Sequence, residues 1–160
     1  SWACLTKGWK LIDANAEEIA DGVIMEGAGL NPDDWIVIIA LRDERENRPE
    51  LEDFAPLYNE FEKALLALQQ GEILNCLTIN GRAVCAVTND IQGRKISNDA
   101  FINGARSSGL TGSGPAVVIV IPSLVSSSAE RIKSTLSRIL PKEQIIETRF
   151  LSQDSDELET

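Results

Sequence analysis

Two stretches of the chain are apolar at nearly every position. Trp35-Ile-Val-Ile-Ile-Ala-Leu41 and Val117-Val-Ile-Val-Ile121 are rich in β-branched residues, the pattern of strands buried on both faces. Between them the period lengthens. Leu51, Phe54, Tyr58, Phe61, Leu65 and Leu68 recur at helical spacing, predicting a helix over 51–70 with that face inward and Gly71 as its stop. Residues 73–88 predict a second helix, crowded with small side chains at Cys76, Gly81, Ala83, Cys85 and Ala86. The stretch 89–96 reads as a loop around Gly93-Arg-Lys95, with Ser97 capping a third helix that runs to Ser107. A short strand comes next, before the second apolar run. Ser127-Ser-Ala-Glu130 has capping-box spacing ahead of a helix carrying Ile132, Leu136 and Ile139 inward, and Pro141 stops it. A last strand follows over 144–151, and two short strand-like pieces, 10–13 and 22–25, precede the first apolar run.

From Trp35 the order is therefore strand, helices, strand, strand, helix, strand. That order predicts an α+β domain of ferredoxin-like, split βαβ type: an antiparallel four-stranded sheet with helices on one face, plus an N-terminal strand extension. The domain is expected over 31–151. Residues 1–30 are read as continuing from a preceding domain, because the chain opens at Ser1 and Trp2-Ala-Cys-Leu5 resembles the middle of a buried segment. The acidic stretch 152–160 is expected to be a disordered tail.

Composition narrows the chemistry. The net charge of −10 and an aromatic share of 5% argue against nucleic acid, which asks for a basic face and stacking rings. The same charge argues against anionic membrane surfaces, and no apolar run nears the roughly 20 residues needed to span a bilayer. Cys4, Cys76 and Cys85 are odd in number and widely spaced, and read as reduced thiols of a cytoplasmic protein. With no histidine in the chain, Ser-His-Asp chemistry and an imidazole base are excluded. The stretch of most chemical interest is Thr111-Gly-Ser-Gly-Pro115, which leads directly into the second apolar run. Its glycines allow positive φ and a close backbone approach to an anion or substrate. A tight turn between two core strands accounts for the same residues equally well.

Leu110-Thr-Gly-Ser-Gly-Pro-Ala-Val-Val118 resembles the third conserved motif of the GHMP kinases, which act on small alcohols such as galactose, homoserine and mevalonate. Phe54-Ala-Pro56, a helix ending at Gly71-Glu72, and Leu77-Thr-Ile-Asn-Gly81 are similar to the archaeal shikimate kinase branch, as is Ala3-Cys-Leu-Thr6 with Gly8. The resemblance spans nearly the whole chain but only the C-terminal half of such an enzyme. It implies ATP and Mg²⁺, bound mainly by a missing N-terminal domain that also carries the catalytic acid. No catalytic or metal-binding role then falls within these residues, and the isolated chain is expected to be inactive. Thr111, Gly112, Ser113, Gly114 and Pro115 are implied to line the phosphate-loop side of the cleft; Ser113 stands where the family pattern has Thr. The implied acceptor is shikimate or a similar hydroxy acid, phosphorylated at its 3-hydroxyl on the route to aromatic amino acids.

Other readings stay open at this point. Asn80-Gly81 either presents an amide to substrate hydroxyls or kinks a helix against its neighbour. Arg82, Arg94 and Lys95 either meet a substrate carboxylate or are solvated charges. The glycine turn is shared by homoserine, mevalonate and pantoate kinases, and a non-enzymatic ferredoxin-like binding module also accommodates it.

Overall fold

A computed structural model describes residues 8–13, 15–18, 21–43, 49–112, 114–151. The expectations for Trp2, Cys4, the Ala3–Thr6 motif, Ser113 and the acidic tail lie outside these residues. The N-terminal pieces form an antiparallel pair, β1 (Trp9–Ile12) and β2 (Val23–Gly27). The two long apolar runs form β3 (Trp35–Ala40) and β5 (Val117–Pro122), which pair in antiparallel register with Ile38 opposite Ile119. β4 (Ser107–Leu110) pairs with β5 and β6 (Ile145–Thr148) with β3, both antiparallel, giving the spatial order β4-β5-β3-β6. β3 and β4 therefore run parallel with β5 between them. The molecule is α+β, with four helices around this sheet: α1 (Tyr58–Gln69), α2 (Ile73–Val87), α3 (Ile91–Ile102) and α4 (Ser126–Leu136). Among the described residues no helix is long and apolar enough to cross a membrane.

The core sits on one face of β3 and β5. Ile38, Ala40, Val117, Ile119 and Ile121 pack there against Ile96 and Ala100 of α3 and Ala129, Ile132 and Leu136 of α4. The helices do not all share that face. Successive residues of a strand point to opposite sides. Ser108 of β4 donates to Ser97 of α3 at 3.1 Å, while its neighbour Ser107 donates to the Leu74 carbonyl of α2 at 2.7 Å. The edge strand is thus clasped between α2 and α3, and both serines are fully buried.

Four elements depart from the sequence reading. Residues 51–57 form a 3₁₀ turn with a Glu50–Asp53 capping box, and the α-helix begins at Tyr58. Pro56 cannot donate to an α-helical ladder, which accounts for the late start. Nor does the predicted stripe face inward as a set: Leu51, Tyr58 and Leu65 are exposed, whereas Ala64 and Ala67 are buried and Phe54 and Phe61 pack against the core. Small alanines let α1 lie close along α2, leaving the larger side chains outside.

The third helix starts at Ile91 instead of Ser97, so that most of the predicted loop is its first turns. Its cap is Asp90, whose carboxylate accepts from the Gly93 amide at 2.7 Å. Ser97 is a buried mid-helix residue. The last helix has no side-chain cap. Ser127 and Ser128 accept instead from the guanidinium of Arg131, which also donates to the Asn103 carbonyl and ties α4 to the end of α3. The last strand is confined to Ile145–Thr148, shorter than predicted.

Candidate functional site

The glycine turn joins β4 to β5. Gly112 and Gly114 have φ of +54° and +83°, and the Gly114–Pro115 peptide is cis. Positive φ is readily adopted only without a Cβ, so the turn requires glycine at both places. The Thr111 amide donates to the Ala116 carbonyl at 2.9 Å and the Gly114 amide to the Thr111 carbonyl at 2.8 Å. Those two donors are used internally. Gly112 is exposed and its amide has no hydrogen-bond partner among the described residues, and a side chain added there would meet no atom within 4 Å.

Behind the turn lies a buried ion pair that the sequence reading missed. Arg42, two residues beyond β3, donates through Nε to the Pro115 carbonyl at 2.6 Å. Its other nitrogens form a two-pronged bond with Asp90, Nη1 to Oδ1 at 2.9 Å and Nη2 to Oδ2. The two side chains are only 7% and 6% exposed. One arginine thus links the end of β3, the glycine turn and the N-terminus of α3. Gly93 makes this arrangement possible, since a side chain there would lie 2.8 Å from both the Arg42 guanidinium and the Asp90 carboxylate. The recoverable signal was Asp90 three residues before Gly93, an N-cap spacing. Nothing in the sequence joins it to Arg42, 48 positions away. The pair borders an open cleft of about 450 Å³ that also reaches Asp43, Gln92, Pro115 and Gln144.

A second cleft, of about 270 Å³, opens between α2 and α3 and is lined by Gly81, Arg82, Cys85, Arg94, Ser97 and Asn98. Gly81 itself is buried. A side chain on it would collide with Gly109 and lie 2.9 Å from the Leu110 nitrogen, so the glycine lets α2 rest on the backbone of β4. Its neighbour in the packing is a strand, where the sequence suggested a helix. Asn80 is half-buried beside it, outside the cleft lining. Arg82 lies over the Phe101 ring, 5.6 Å from its centre. The cleft thus brings together Gly81, Arg82 and Arg94 of the sequence candidates, and Lys95 is not among its lining residues. Elsewhere, burial pushes the Cys76 thiol pKa up, which keeps it protonated and a poor nucleophile. Asp33 and Asp34 sit in a turn in which Asn31 accepts from the Asp33 amide.

The exposed Gly112 amide fits contact with a phosphate oxygen. Among the described residues no three His, Cys, Asp or Glu side chains converge as a cation site.

No protein-family profile matches the chain, and no curated protein matches it. Solved structures do. A phosphotransferase related to the CoA biosynthesis pathway shares the fold at a TM-score of 0.54, with 14% identity over 80% of this chain and 41% of its own. Staphylococcus aureus mevalonate diphosphate decarboxylase matches at a TM-score of 0.49 and 12% identity, over 76% of this chain and 45% of its own. Homoserine kinase from Cytophaga hutchinsonii matches at 0.48 and 18% identity, over 94% and 50%. The chain spans half or less of the length of each of these proteins.

Proposed function

We propose that this chain is the C-terminal half of a GHMP-type small-molecule kinase, and that the acceptor is a hydroxy acid of the shikimate type. The observation that carries the reading is the glycine turn between β4 and β5, open at Gly112 and braced from behind by Arg42 and Asp90. It coincides with the segment whose sequence resembles the third GHMP motif. The strand order β4-β5-β3-β6, with β3 and β4 parallel around β5, supports the ferredoxin-like reading of the domain. The fold shared with a phosphotransferase supports the class of reaction.

In this reading the turn meets the transferring phosphoryl group at the cleft between the two halves. Phosphoryl transfer asks the protein for positioning and for donors aimed at the charge on the phosphate oxygens. Gly112 N–H is such a donor. Arg42 does not touch the phosphate. Its hydrogen bond to Pro115 fixes where the turn sits, so the donor is held in place before substrate arrives. Bound Mg²⁺ would neutralise phosphate charge, held by residues outside these 160. The catalytic acid likewise belongs to the other half, and the chain alone is inactive.

The test is product identification. The full-length gene product is given MgATP with shikimate, homoserine, mevalonate or pantoate in turn. Phosphorylation of shikimate alone is expected. Transfer to a different alcohol keeps the kinase and removes the shikimate assignment.

A further inference from the structure

The cleft between α2 and α3 is not explained by packing. This chain carries 25 acidic and 15 basic residues, yet no acid lines the cleft, and two arginines do. Elsewhere in the fold Arg42 pairs with Asp90, Lys63 with Glu60, and Lys133 with Glu130 and Glu147, while Lys95, Arg106, Arg138 and Lys142 pair with no acid among the described residues. Among the described residues, neither Arg82 nor Arg94 has an acidic partner. They also come from different helices, so the fold itself sets the space between them. Arg82 is steadied by the Phe101 ring, a contact that restrains the group without neutralising it. Between them the wall is polar and small: buried Ser97, exposed Asn98, buried Cys85 and the bare backbone of Gly81.

We propose that Arg82 and Arg94 bind the carboxylate of the acceptor in this cleft. The inference rests on the kinase reading for the identity of the ligand, and on the cleft alone for its charge. A guanidinium offers a planar fork of donors that matches a carboxylate in two-pronged fashion, and Ser97 and Asn98 supply neutral partners beside it. At about 270 Å³ the cleft is just under the ~300 Å³ at which pockets for larger ligands begin, a space for one small metabolite. Its position fits as well. Gly81 rests on Gly109 and Leu110, the last residues before the Thr111 turn, so the cleft and the turn share one strand end.

The experiment uses the full-length gene product, with shikimate and its uncharged methyl ester as probes. Binding is followed through the amide signals of Gly81, Ser97 and Asn98, alongside KM for each ligand. Shikimate is expected to shift those signals, and the ester to bind at least about tenfold more weakly, the loss for a charge-assisted hydrogen bond. Arg82→Gln and Arg94→Gln should each raise KM for shikimate by about tenfold or more and leave KM for ATP in place. Arg82→Lys, which keeps the charge and guards against a folding defect, should recover part of the loss. Lys95→Gln, a neighbouring cation outside the cleft, should change neither constant. The proposal is overturned by equal binding of acid and ester, by no binding of the acid, by shifts confined to other residues, or by a Lys95→Gln loss as large as that of Arg82→Gln. Acid binding in the cleft without phosphoryl transfer leaves the inference standing and removes the kinase. Transfer to shikimate with KM unmoved in both glutamine variants does the reverse.

Discussion

Arg42 and Asp90 are nearly shut off from solvent, so removing one of them takes from the other its two-pronged charged partner in the interior. Breaking a buried pair from one side costs about 3–5 kcal/mol, whereas replacing both partners by apolar groups of similar size is often close to neutral. Arg42→Met and Asp90→Leu are therefore each expected to lose about 3–5 kcal/mol in chemical denaturation, and the double variant to lose less than the two together, keeping the roughly 1 kcal/mol cost of the lost α3 cap. Single losses below 1 kcal/mol would mean that the pair does not brace the turn. Gly81→Ala tests the adjoining backbone contact. Its methyl group has only the backbone of β4 to displace, and an overpacking loss of about 1–3 kcal/mol is expected. Gly112→Ala meets no atom and should show only the smaller strain of a positive φ, about 1 kcal/mol. These positions also mark the limit of what could be read from the chain. Glycine as a turn former was legible at 112 and 114 because the strand beside them was so plain. Glycine as a space for another group, at 81 and 93, was not, since the groups that need the space come from elsewhere in the sequence.

At the scale of elements, β3 and β5 were legible because each is apolar on both sides and long enough to exclude other readings. α3 was misread at its start for the opposite reason. Its first turns carry Gly93, Arg94 and Lys95, a loop-like composition, and its cap is recognised only once Asp90 is seen to serve both the helix and Arg42. α1 was found but turned wrongly, because the alanines that face α2 are weaker signals than the leucines left outside. The link between α4 and the edge strand β6 gives a pH prediction. Lys133 donates to Glu147 across the two elements and pairs with Glu130 on its own helix. Hydrogen bonds to Glu130 and then Glu147 raise its pKa above the ordinary 10.5, while its slight burial acts the other way. A raised folded-state value means that the stabilisation is fully present below about pH 10.5 and fades as pH rises through the folded pKa. The difference in melting temperature between the protein and Lys133→Met should accordingly be constant from pH 7 to 9.5 and shrink towards pH 12. A difference that widens in that range would contradict the pairing. Both ends are partly exposed, so the effect should be small and reduced by salt.

For the molecule as a whole, the α+β class and the antiparallel four-stranded sheet followed from the sequence, while the clasp of β4 between α2 and α3 did not. It depends on Ser107 and Ser108 pointing opposite ways, and on Gly81 meeting Gly109, none of which a single-chain pattern records. That clasp sets the two features argued to be functional side by side, the glycine turn at one end of β4 and the arginine cleft against it. The match to the phosphotransferase of similar fold covers 41% of that protein's own length, and in the reading proposed above the activity belongs to a larger protein. The most direct test is ADP formation from MgATP and shikimate, measured for the full-length gene product and for the 160-residue chain in parallel. The account predicts steady turnover by the first and none by the second. A folded full-length protein that transfers phosphate to neither shikimate, homoserine, mevalonate nor pantoate would contradict it.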